Sequence, residues 1–148
     1  MRNRVEIEIS ELRKRLRAAI DGSRREAASR RVRVDAASAA YAQFLERLAG
    51  PLVQMLANAL RAEGHHFTVF TPGGGLRLSS AKSGDDYIEF SLDSAQAEPA
   101  VMLRVNRARG RRVLQHERPV RERTPVEELT EEDVLQALLE EIGPFVER

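Results

Sequence analysis

The sequence predicts an α+β protein: N-terminal helices and one C-terminal helix packed on an antiparallel meander of about five strands. Three observations carry this. Apolar residues recur at spacings of three and four before residue 64, they alternate with polar residues between 65 and 120, and a capped amphipathic segment follows from residue 124. The breaks between the alternating runs are short. They force antiparallel neighbours, because a parallel crossover needs roughly a dozen residues or more. Helices segregated from such a sheet define two layers around one core.

A chain of 148 residues is read as a single α+β domain. Its parts are a basic N-terminal arm and helix (1–33), core helices (34–63), an antiparallel sheet (64–120) and a C-terminal helix (124–148). A domain of this size buries roughly 70% of its unfolded surface, so its core needs neither disulfide nor metal. No cysteine is present, which removes thiol nucleophiles and thiolate metal sites. No run approaches the roughly 20 apolar residues of a membrane span, and the start of the chain lacks an apolar signal core. The expectation is a cytoplasmic protein.

Residues 4–9 fit two patterns. Val5, Ile7 and Ile9 alternate with Glu6 and Glu8 as in a strand, yet Val5, Ile9, Leu12, Leu16 and Ile20 make a helical stripe. A helix is expected over residues 10–20, with residues 4–9 either an extended arm or an extra helical turn. Asp21-Gly22-Ser23 reads as a stop. Residues 24–33 offer little to bury and read as a solvated helix or a linker. Asp35 is the expected N-cap of the next helix. Tyr41, Phe44, Leu45, Leu48, Leu52, Met55, Leu56, Ala59 and Leu60 form its apolar face. Gly50-Pro51 interrupts that face and predicts a kink or two abutting helices. Gly64 supplies the C-terminal cap.

The expected strands are residues 65–70, 76–80, 87–92, 100–107 and 111–120. Ile88, Phe90 and Leu92, with Val101, Leu103 and Val105, mark the buried face. Residues 111–120 alternate too poorly to fix the register of the last hairpin. Two capping boxes follow, Thr124-Pro125-Val126-Glu127 and Thr130-Glu131-Glu132-Asp133. Leu129 and Val134 have staple spacing, and Val134, Leu135, Leu138, Leu139 and Ile142 form the apolar stripe. Gly143-Pro144 ends the helix.

No catalytic signature is present. The glycines at 73–75 precede Leu76-Arg77-Leu78, a strand, so they suit a hairpin tip rather than a phosphate loop. His65 and His66 point to opposite faces of a strand and cannot easily share a metal with each other. Asp85-Asp86 lies in a turn without the opposed environments that separate paired carboxylates. Neither a cofactor nor a metal is expected.

The sharpest feature is charge segregation. A net charge of +1 conceals a basic block (Arg104, Arg107, Arg109, Arg111, Arg112, Arg118, Arg121, Arg123) followed by carboxylates at 127, 128, 131, 132, 133, 140, 141 and 147. Arg107, Arg109, Arg111 and Arg112 surround the last hairpin tip. They are the candidate contacts for a partner or for nucleic acid. Pairing with the acidic helix would neutralise them instead. The arrangement of residues 5–9 ahead of two helices is also similar to the ribbon-helix-helix DNA-binding family, whose exposed strand residues read bases. Here those residues are Glu6 and Glu8, which repel phosphate, so membership does not follow.

The function expected is that of a small non-enzymatic protein-interaction or adaptor protein. It would self-associate as a homodimer through its N-terminal helices, with a protein partner of unknown identity and no membrane. The alternative is a nucleic-acid-binding module using the arginine-rich hairpin.

Overall fold

The computed structural model describes residues 3–147. The chain divides into two compact units, Met1–Asp35 and Ala36–Arg148. Secondary structure and topology are those of an α+β protein, with a long N-terminal helix, a five-stranded antiparallel sheet and a C-terminal helix.

In the first unit, residues 3–8 take no regular structure, and helix α1 begins at Ile9 and runs to Phe44. Residues 4–8 are thus an arm, neither strand nor helical turn. The expected stop at Asp21-Gly22-Ser23 and the expected N-cap at Asp35 are both overridden, since α1 passes through them. The surrounding Ala, Arg and Glu residues are strong helix formers, and one interior glycine costs only about 1 kcal/mol. No residue from Ile9 to Ala36 is buried. The interval 24–33 is a solvated helix, not a linker.

In the second unit, α1 ends in a π-helical turn, Leu45–Ala49, and α2 follows from Gly50 to Ala62 with Pro51 in its first turn. Two abutting helices are therefore joined by a π turn. The extra residue of that turn gives the proline ring room where it would otherwise meet the preceding carbonyl. It also rotates the buried face of α2. Ala49 is buried in the turn and Leu52, Val53, Ala57 and Leu60 in α2, whereas Met55 and Ala59, both expected on the apolar face, are exposed, Met55 by 64%. Helix α2 closes in a Schellman motif. The amide of Gly64 (φ 89°) donates to Arg61 O at 3.0 Å and that of His65 to Leu60 O at 2.8 Å.

The strands are β1 (Phe67–Phe70), β2 (Leu76–Ser80), β3 (Tyr87–Asp93), β4 (Ala100–Arg109) and β5 (Arg112–Pro119). They form one antiparallel sheet in sequential order β1-β2-β3-β4-β5. One face carries Leu76, Leu78, Ile88, Phe90, Val101, Leu103 and Val105 into a core shared with Phe44, Ala49, Val53 and Leu60. The C-terminal helix α3 (Glu131–Ile142) adds Val134, Ala137, Leu138 and Ile142. Leu139, expected in its buried stripe, is 50% exposed.

The second capping box forms as expected. The Thr130 hydroxyl accepts from the Asp133 amide at 3.2 Å, and the Asp133 carboxylate accepts from the Thr130 amide at 3.0 Å. The first does not form. Pro125 is extended, residues Val126–Glu128 make a 3-10 turn, and the Thr124 hydroxyl donates to Glu122 O. One 3-10 turn cannot hold a reciprocal box, and the extended Leu129 ends it.

Candidate interaction surfaces

The last hairpin turns in two residues. Arg109 is registered with Arg112, Gly110 has φ 62°, and Arg111 is not left-handed. This is the pattern of a type II′ turn, whose twist matches the flanking strands. The register follows directly. Arg107, Arg109, Arg112, Leu114, His116 and Arg118 lie on the face that carries Leu103 and Val105. Arg104, Asn106, Val113, Gln115 and Glu117 lie on the other.

That register divides the arginines by partner. On the core side, β5 runs toward the carboxylates of α3. Arg118 Nη1 sits 3.6 Å from Glu140 and 3.7 Å from Glu141. His116 Nε2 lies 2.9 Å from Glu141 Oε2. Arg121 meets Asp133 at 3.3 Å, and Arg109 approaches Glu147 at 4.0 Å. The acidic helix thus neutralises the base of the hairpin. Arg118, Glu141 and Asp133 are partly buried, whereas the pair of Arg109 with Glu147 is exposed and contributes about 0–1 kcal/mol. Among the described residues, Arg107, Arg111 and Arg112 have no carboxylate within 4.0 Å. Of the four sequence-predicted site residues, three keep an unpaired charge at the tip and Arg109 is weakly paired.

The opposite face holds a ladder of alternating charge. Register aligns Arg77 with Glu89, Glu89 with Arg104, and Arg104 with Glu117. Arg77 Nε donates to Glu89 at 2.8 Å, and Arg104 Nη2 sits 2.7 Å from Glu117. The hydrogen bond and charge of Glu117 hold the Arg104 guanidinium above its ordinary pKa. Arg77 also lies 4.0 Å over the Tyr87 ring. Cross-strand opposite charges are the pairing that sheets favour. No sequence spacing marks this ladder; it becomes visible only once the register is known.

The remaining candidates from the sequence have structural roles. Asp86 accepts the Ala108 amide at 2.7 Å, and the Asn106 side chain donates to Asp85 O, so this turn is tied to β4. Residues Pro72–Gly74 form a 3-10 hairpin tip with Gly73 at φ 50° and Gly74 at φ 82°. Among the described residues, no group of three or more His, Asp or Glu gathers as a metal site. A cleft of about 420 Å³ is lined by Pro99, Met102, Pro119, Glu122, Arg123 and Pro125. Glu98 and Thr124 also line it, and the Thr124 hydroxyl donates to the Glu122 backbone carbonyl at 3.0 Å.

The first unit presents a second surface. Ile9, Leu12, Leu16 and Ile20 are 69%, 53%, 56% and 41% exposed. At 100° per residue they fall within roughly 80° of arc on α1. No helix among the described residues is long and apolar enough to cross a membrane.

No protein-family model, curated protein or solved structure matches this chain.

Proposed function

We propose that the chain is a cytoplasmic, non-enzymatic protein-interaction or adaptor protein that acts as a homodimer through the apolar stripe of α1. The observation that carries this is the exposure of Ile9, Leu12, Leu16 and Ile20 on one face of a helix that buries nothing along its first two thirds. An apolar stripe costs free energy in water and gains it on pairing, about 1.5–3 kcal/mol per fully buried Leu or Ile. Exposed apolar faces of this kind mark contact sites. A chain without cysteine has no dependence on an oxidising compartment.

Sedimentation equilibrium tests it. The wild type sediments as a dimer, and the double variant Leu12→Ser/Leu16→Ser weakens association by roughly a hundredfold or more, given that each 1.4 kcal/mol is tenfold. Both side chains are exposed, so the variant leaves the second unit folded. A strict monomer at high concentration defeats the proposal.

One observation favours a second reading, a nucleic-acid-binding module. Arg107, Arg111 and Arg112 cluster at a hairpin tip with no carboxylate within 4.0 Å among the described residues. Phosphate contacts of this sort release counterions, so binding would weaken steeply with salt. An electrophoretic shift at low salt that is lost on replacing Arg107, Arg109, Arg111 and Arg112 would support it. An unaffected shift, or none, rejects it.

A further inference from the structure

The outer edge of β5 is open. The Val120 amide donates to Val101 O at 2.9 Å. This sets the parity of the ladder: even-numbered β5 residues bond to β4, while Val113, Gln115, Glu117 and Pro119 turn their backbone groups outward. Pro119 has no amide, so the usable edge comprises Val113, Gln115 and Glu117. Among the described residues no backbone group bonds to it. Val113 and Leu114 at this edge are 58% and 40% exposed. Natural sheets blunt an edge with charge. Among the described residues the unpaired charge here is of one sign, Arg111 and Arg112 at the tip and start of β5 with Arg107 one strand in on β4, which repels a basic strand and attracts an acidic one.

A segment with the matching pattern exists in the sequence. In the arm, Val5 and Ile7 alternate with Glu6 and Glu8, the period of a strand, yet the arm takes no regular structure. Val5 is 85% exposed and Ile7 40%. Glu8 O accepts the Leu12 amide at 3.0 Å and Arg4 lies 4.0 Å from Glu6, but no strand pairs with the arm among the described residues.

We propose that the arm of one copy adds as an extra strand to β5 of a second copy. Glu6 and Glu8 then lie on the face of Arg107 and Arg112, and Val5 and Ile7 lie beside Val113. Backbone hydrogen bonds give such an addition its affinity, and the alternating side chains give its register. The proposal rests on the self-association argued above and supplies a second contact for it.

The absence of cysteine makes the test clean. Ile7→Cys protein is mixed with Val113→Cys protein and oxidised. A covalent dimer forms from the mixture and from neither variant alone. Glu6→Arg/Glu8→Arg in the first protein lowers the yield by roughly tenfold, and Arg107→Glu/Arg112→Glu in the second restores it, as complementary charge requires. A sedimenting dimer without the mixed disulfide overturns the arm while leaving self-association standing; a strict monomer overturns both. A double variant Ile7→Cys/Val113→Cys whose disulfide closes only within one chain also overturns it. So does an edge whose Arg107→Glu/Arg112→Glu change abolishes oligonucleotide binding and leaves the mixed disulfide untouched.

Discussion

The Gly50 amide donates to the Leu45 carbonyl, five residues back, and so closes the π turn that joins α1 to α2. A Cβ on Gly50 would stand 2.7 Å from that same oxygen. A side chain at this position would therefore force the turn to shift, and Pro51, which has no amide to donate, follows it in the first turn of α2.

Gly50→Ala is expected to destabilise the second unit by about 1–3 kcal/mol, the range for forced overpacking. Gly22→Ala is the contrast. Its Cβ meets only the end of the Arg25 side chain, at 4.0 Å, and alanine is better in an exposed helix by about 1 kcal/mol. Urea unfolding followed by circular dichroism separates the two; equal effects would remove the steric argument.

The rotated face of α2 gives a second prediction. Val53 is fully buried and Met55 is 64% exposed. Val53→Ala should cost about 1–3 kcal/mol through the cavity it leaves, while Met55→Ser should fall within about 0.5 kcal/mol of wild type. The reverse order would mean that the unrotated periodicity is correct.

How much of this was legible in the sequence divides along physical lines. Strands β2 to β4 announce themselves because one face of each is buried and the other is not, so Ile88, Phe90, Val101, Leu103 and Val105 alternate with polar residues. Strand β5 is an edge whose residues from Arg112 to Glu117 are all exposed, so burial imposes no alternation there and the register stays hidden. The capping box at Thr130 is local chemistry and is readable. The π turn is not, because its only trace is Gly-Pro, which a kink would share. The arginine site was half legible: residues 107–112 do form a tip, but which guanidiniums keep a free charge depends on Glu140, Glu141 and Glu147, whose approach no spacing encodes.

Tyr41 packs its ring at 6.2 Å from Phe44, yet its buried hydroxyl has no hydrogen-bond partner among the described residues. Burial, and then the Glu89 carboxylate, push it from the ordinary 10.0 up to about 12. The folded chain holds this proton more tightly than the unfolded chain. Stability is thus fully present below pH 10.0 and is lost as the pH rises toward about 12. Tyr41→Phe removes an unsatisfied group and should raise stability by about 1 kcal/mol at neutral pH. It should also flatten the alkaline loss, which thermal melts from neutral to strongly alkaline pH would show.

Thr130→Ala deletes one half of the capping box and should cost about 1 kcal/mol. The other half titrates. The Thr130 amide, with its hydroxyl and Arg121, holds the Asp133 carboxyl below the ordinary 3.8. Its contribution is present above pH 3.8 and disappears as the pH falls through the lowered value. The gap between wild type and Asp133→Asn in thermal melts should narrow on acidification; a gap that widens contradicts the cap.

The sequential strand order has a kinetic consequence. Each strand after β1 pairs with its immediate predecessor in the chain, so no strand waits for a distant partner. Closing a short loop costs little entropy, and the cost grows only with the logarithm of loop length. Each hairpin can form on its own and offer its free edge to the next. A sheet built this way has low contact order for its class. Its refolding should be faster than that of a Greek-key sheet of equal size, in which the first strand must find the fourth.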